Sequence, residues 1–138
     1  MKSSALLAQT LEDAGFKVER GVANIPTAFV ATIGKGKPIL GILGEFDALP
    51  GLSQEAVPQK QPRPGNTYGH GCGHHLFGAG SMLAALALAE QIKAGEMPGT
   101  MRFYGTPAEE GGAAKVFMVR AGLFNNCEIG RASCRERV

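Results

Sequence analysis

The chain predicts an α/β fold, a mixed and mostly parallel sheet flanked by helices, and three observations carry that expectation. Segments rich in β-branched and aromatic residues alternate with segments whose apolar residues recur at helical spacing. Glycine and proline punctuate the boundaries between them. The apolar share, 44% of 138 residues, is enough to bury one core of ordinary size.

Residues 5–14 carry Leu6, Leu7 and Leu11 at helical spacing and stop at Gly15, so they read as a helix followed by the strand Phe16-Lys17-Val18-Glu19-Arg20. Residues 27–33 and 39–46 are β-rich and are joined by Gly34-Lys35-Gly36-Lys37-Pro38, which suits a hairpin connection. The second of these segments is apolar on both faces and belongs inside the sheet. Residues 50–69 are polar, with four prolines, three glutamines and no periodicity. A loop of that length inside a compact domain is usually functional or mobile. Residues 76–93 form an alanine- and leucine-rich helix, apolar on two faces, for which deep packing is expected. Gly95 and Pro98 close it, residues 100–104 read as a strand, and residues 112–120 as a short helix ending at Gly122.

Fourteen basic against twelve acidic residues give a net charge of +2 without a long basic run, so no electrostatic footprint for nucleic acid is expected. The apolar run of residues 83–89 is short for a bilayer, and Met1-Lys2-Ser3-Ser4 is followed by an acidic amphipathic stretch instead of a signal-peptide core. A cytoplasmic protein with no membrane role is the expectation. The three cysteines are unevenly spaced and make no disulfide framework, which leaves Cys72 a thiol or thiolate.

All three histidines fall in Gly69-His70-Gly71-Cys72-Gly73-His74-His75, a glycine-punctuated loop that runs into the apolar helix. Cys72 and His74 flank one glycine, and in extended backbone a two-residue offset sends both side chains to one side, where both can reach a metal. Thiolate plus imidazole suits zinc or another borderline divalent ion. The alternative is a tight turn with Cys72 as a small buried apolar group. Glu109-Glu110 follows the strand 101–104. In non-helical backbone adjacent carboxylates diverge, so one can bind metal while the other takes a proton from a water. Alternatively the pair complements the dipole of the next helix. Asp47, at the carboxyl end of the central strand, can accept a hydrogen bond from a liganding imidazole, or can cap the turn Ala48-Leu49-Pro50-Gly51. Glu45 shares its face.

Collected together, Gly41-Ile42-Leu43-Gly44-Glu45-Phe46-Asp47-Ala48-Leu49-Pro50, the His70-Gly71-Cys72-Gly73-His74 loop, and Tyr104-Gly105-Thr106-Pro107-Ala108-Glu109-Glu110-Gly111-Gly112 resemble the dinuclear metallopeptidase and aminoacylase family, in its amidohydrolase branch. The resemblance spans about residues 4–126. It implies Cys72, His74 and Glu110 as metal ligands, Glu109 as general base and Asp47 as a catalytic supporting residue behind the ligands. It further implies two divalent ions, zinc or manganese, a small N-acyl amino acid substrate cleaved at an acyl or aroyl amide as in p-aminobenzoyl-glutamate, and a dimer formed through a domain absent here. The chain departs from the family where many members have His-x-Asp, since Glu45-Phe46-Asp47 stands there, and His75 stands where the branch usually has aspartate or asparagine. On this reading residues 1–127 are the N-terminal part of a metallohydrolase catalytic domain, truncated and inactive alone. Residues 128–138, which resemble the in-frame translation of a sequencing-library adapter, are expected to be a non-native, loosely attached tail. The competing reading is a small non-enzymatic metal-binding module, which would draw four ligands from Cys72, the histidines and Cys127.

Overall fold

The computed structural model describes residues 2–131. Helix α1 (Lys2–Asp13) buries Leu7, Ala8 and Leu11 and leaves Leu6 in solvent. It ends where Gly15 N–H bonds to Glu12 O and Phe16 N–H to Leu11 O, the paired bonds that satisfy the last carbonyls of a helix. Strand β1 (Lys17–Arg20) then pairs antiparallel with β2 (Phe29–Lys35).

The connection from β2 to β3 (Ile39–Glu45) is not a hairpin. Strand β6 (Gly99–Thr106) lies between them, antiparallel to β2 and parallel to β3. A hairpin needs adjacent partners, and here the turn instead wraps around the start of β6. Thr100 N–H bonds to Pro38 O and its hydroxyl to Gly36 O. The packing is so close that a Cβ on Gly34 would stand 2.3 Å from Gly99 O. The order is therefore β1-β2-β6-β3-β7, the last strand being Ile129–Arg131, with two antiparallel ladders followed by two parallel ones, and β6 is the most enclosed strand. Strands β4 (Leu49–Pro50) and β5 (Tyr68–Gly69) form a separate two-residue ladder that closes the long loop at its base. That loop is self-structured: the Gln54 side-chain amide donates to the carbonyls of Glu55 and Gln59 and accepts from Gln61 N–H.

Residues alternate between two layers, as the pleat requires. Phe29, Ala31, Met101 and Phe103 face α1 and α2 (His74–Lys93), where Leu11, Met101 and Phe103 have no exposed surface. Burial of each such side chain contributes about 1.5–3 kcal/mol. On the other face Val30 and Tyr104 pack with Met118 of α4 (Ala114–Arg120), under Leu123 and Phe124.

Two further expectations are corrected. Helix α2 is not packed on both apolar faces: Ala85 and Ala89 are fully buried, whereas Leu76 and Leu83 are 70% and 65% exposed. A groove of about 390 Å³, lined by Ile42, Leu43, Leu76, Phe77 and Ala84, runs along that outer side. By length and composition α2 is also long and apolar enough to cross a membrane, although it lies on the sheet with its inner face in the core. The second correction concerns the tail. Glu128 accepts hydrogen bonds from Lys37 and Ile39 N–H, and β7 (Ile129–Arg131) adds in parallel to β3. Backbone groups at an open strand edge pair with extended chain whatever its side chains, so attachment does not decide the tail's origin. Residues 132–138 lie outside the described residues.

Candidate metal centre

Because β3 and β6 are parallel, with Glu45 opposite Thr106, their carboxyl ends deliver two loops to one place. Thr106 is fully buried and its hydroxyl donates to Gly44 O, tying the two ends together. After β6 the backbone turns at Ala108, at φ 54°, into the four-residue helix α3 (Glu109–Gly112), and turns again at Ala113, at φ 47°. Non-glycine residues in the left-handed region cost of order 1–3 kcal/mol each and gather at functional sites. The two glutamates thus lie in a helical turn, not in the non-helical backbone expected. Successive helical residues point about 100° apart, so the pair still diverges.

The metal-loop geometry also differs from the extended dipeptide expected. Gly73 has φ 89° and serves as the residue before α2, whose first turn carries Leu76 and Phe77 N–H groups to Gly73 O. A side chain would be strained at that φ, which accounts for the glycine between Cys72 and His74. His74 is the first helical residue. The helix can reach the end of β3 only because position 78 lacks a side chain, since a Cβ there would stand 2.1 Å from Glu45 O.

These turns bring Cys72, His74 and Glu110 together, with one ligand atom from each lying within 4.8 Å of the others. Cys72 Sγ is 3.3 Å from Glu110 Oε1. His74 is buried, and its Nδ1 lies 3.2 Å from both the backbone carbonyl and Oδ1 of Asp47. An Nδ1 proton donated to that backbone carbonyl, with Oδ1 beside it, leaves the Nε2 lone pair for a ligand. Nε2 faces Glu45 Oε2 at 3.5 Å and Glu109 Oε2 at 3.9 Å. Asp47 Oδ2 accepts the Glu109 N–H at 3.1 Å, so one aspartate joins the histidine loop to the glutamate turn. Beside them opens a cavity of about 320 Å³ lined by Asp47, His70, Pro107 and Ala108.

The structure does not bring every candidate to this point. His70 and His75 pack against each other with tilted rings, centroids 4.3 Å apart, outside the converging group. Burial first, then the neighbouring His75 and His74, hold the His70 imidazole below its ordinary value against the pull of Asp47. Cys127 stands at the other sheet face, its Sγ 3.0 Å from Tyr104 Oη. Tyr104 also donates to Leu123 O, and burial, with Cys127 adding to it, pushes its hydroxyl up to about 12.

One residue had no signal in the sequence. Lys115 reaches from α4 to the buried Glu45 and forms an ion pair with Oε1. Seventy positions separate them, and nothing in the chain distinguishes Lys115 from its other lysines.

The donor set suits a divalent cation. Four carboxylates, Glu45, Asp47, Glu109 and Glu110, and a thiol crowd around one imidazole, with the Lys115 ammonium ion-paired to Glu45. Like charges this close together, one of them the buried Glu45, favour a counter-cation.

Residues 41–133 match the model of peptidase family M20/M25/M40, and the chain belongs to that family. It is 49% identical over 128 residues to a subunit of the p-aminobenzoyl-glutamate hydrolase of Escherichia coli K12, covering 91% of this chain and 26% of that protein. It is 34% identical over 93 residues to the Xaa-Arg dipeptidase of Homo sapiens, covering 65% of this chain and 18% of that one. Among solved structures it is similar to a dinuclear metal binding peptidase of the M20 family from Bacillus subtilis, with a TM-score of 0.77 and 26% identity, over 94% of this chain and 35% of that one. The chain therefore spans about a quarter of the length of the Escherichia coli relative.

Proposed function

We propose that the full-length protein is a metal-dependent amidohydrolase that cleaves an amide between an acyl or aroyl group and an amino acid, of the p-aminobenzoyl-glutamate kind. The observation that carries this reading is the convergence of Cys72, His74 and Glu110 within 4.8 Å, with the Glu109 carboxylate beside them. The substrate for which the Escherichia coli relative is named supports the substrate class, and the dinuclear metal binding of the Bacillus subtilis peptidase supports a pair of metal ions.

In this mechanism Cys72, His74 and Glu110 would hold metal, and Asp47 fixes the imidazole, its backbone carbonyl accepting a hydrogen bond from Nδ1. The ions, zinc or manganese, would supply Lewis-acid activation of water and of the amide carbonyl when bound. Glu109 accepts the proton of the attacking water. As the carbon–nitrogen bond breaks, Glu109 returns that proton to the leaving amine, so base and acid are one residue. The competing reading, a non-enzymatic metal module, keeps only Cys72 and His74 of the four ligands it needs: Cys127 lies against Tyr104 and the His70–His75 pair stands apart.

The first test is chelation of the full-length protein followed by assay on p-aminobenzoyl-glutamate. Activity should vanish and return with zinc or manganese; cleavage indifferent to chelation, or none on any acyl-amino acid, would overturn the assignment. This 138-residue chain, offering three ligands, should bind about one divalent ion weakly and show no turnover. Equilibrium dialysis giving two ions per chain, together with measurable hydrolysis, would contradict that.

A further inference from the structure

Glu45 lies beside the proposed metal ligands, and its surroundings indicate why its carboxylate need not act as one. It is 5% exposed at the end of β3, with Oε2 3.5 Å from His74 Nε2. A carboxylate so close to a ligand atom of a divalent ion would ordinarily be drawn into coordination. Its other oxygen, however, is taken by the Lys115 ammonium. That lysine arrives along a fixed route. Ala113, in the left-handed conformation, starts α4, and Ala114 and Met118 are buried, so the helix is anchored on either side of position 115. The Lys115 side chain is 29% exposed, which leaves one side of the pair against the protein and one near solvent.

We propose that Lys115 is a positioning residue that withholds Glu45 from the metal and so limits both the number of carboxylates the centre uses and its affinity for divalent cations. This rests on the metal-binding reading above. An ammonium and a divalent ion compete for one carboxylate; with the ammonium covalently supplied and held by α4, the pair is electrically neutral toward the site. The ion then answers to Cys72, His74, Glu110 and the neighbouring Glu109 and Asp47. Removing only the lysine frees a buried negative charge a few ångströms from His74, and metal binding should tighten. Removal of both charges should change little.

The experiment is a Co²⁺ titration of the 138-residue chain, followed through the thiolate-to-cobalt absorption band contributed by Cys72, with circular dichroism confirming the fold of each variant. Lys115→Met should bind Co²⁺ about tenfold or more tightly than the parent, the scale expected when a charge is unmasked beside a partly buried cation. Glu45→Gln/Lys115→Met should bind within about threefold of the parent, and Lys115→Arg, which preserves the pair, should do the same. If the single variant does not fold, the double variant decides. A tenfold loss in the double variant would make Glu45 a ligand and overturn the proposal, as would a folded Lys115→Met with unchanged or weaker binding. Failure of the parent chain to bind Co²⁺ through Cys72 would instead remove the metal-binding reading itself, and the inference with it.

Discussion

Helix α2 passes through two environments that reverse the usual distribution of side chains. At its first residue, His74 is buried among Glu45, Asp47 and Glu109, charged groups that proteins seldom bury without compensation. Two turns further on, Leu83 stands in solvent, with Leu76 beside it above an open apolar groove. Further along, on the opposite side, Ala85 and Ala89 make an ordinary core contact with the sheet. The amino terminus of the helix is thus held by electrostatics that call for a cation, and its inner face by packing. Its outer face is held by neither among the described residues. Chemistry and stability in this segment are therefore separable, and substitutions along the one helix and its contacts should sort accordingly.

The largest effect is expected at the charged end. In the full-length protein Glu109→Gln should keep its metal and lose turnover on the order of 100-fold, the contribution of a general base. Glu110→Gln should instead weaken metal binding by about tenfold, by analogy with disturbed metal-ligand shells. Bound metal and turnover at saturating metal are the two measurements; the assignment must be reversed if Glu109→Gln sheds metal while Glu110→Gln retains both.

Next in size is the packed face. Ala85→Leu adds volume where no surface is exposed, and should cost about 1–3 kcal/mol in urea unfolding. A cost near zero would mean that α2 sits less closely on the sheet than the buried alanines indicate.

The smaller core on the opposite sheet face gives a finer gauge. Tyr104→Phe removes the bond to Leu123 O and should cost about 1 kcal/mol near neutral pH. The hydroxyl is neutral in the fold up to about 12, while an unfolded tyrosine ionises from 10.0. Its contribution is therefore complete below pH 10.0 and is lost as pH rises from there toward about 12. The stability gap between parent and variant should narrow over that interval. A gap that widens would contradict the burial-driven shift.

The smallest effect belongs to the exposed face. Leu83→Ser in this chain should change stability by no more than about 0.5 kcal/mol, as surface substitutions away from special features do. If it cost as much as Ala85→Leu, the contrast between the two faces of α2 would be gone.

By itself the sequence determined the composition of the site and the class of fold. Three histidines confined to one glycine-rich loop, an adjacent glutamate pair after a strand, and an aspartate at a strand end are statements about residue type and spacing, and local chemistry suffices to read them. The α/β class, α1 with its glycine stop, and the helix that follows the loop were legible for the same reason, since periodicity and termination are local. Only the tertiary structure decided which strand sits between which. Residues 34–38 look like a hairpin turn until β6 intervenes, and no local pattern records that a strand about sixty residues later pairs on both sides. It also decided that Cys72 and His74 converge through a left-handed turn at Gly73, that His70, His75 and Cys127 stand outside the cluster, and that Lys115 stands against Glu45. Each of these depends on backbone brought together across long stretches of chain, where burial and charge balance select the partner, and residues far apart in sequence carry no mark of the neighbours that folding gives them.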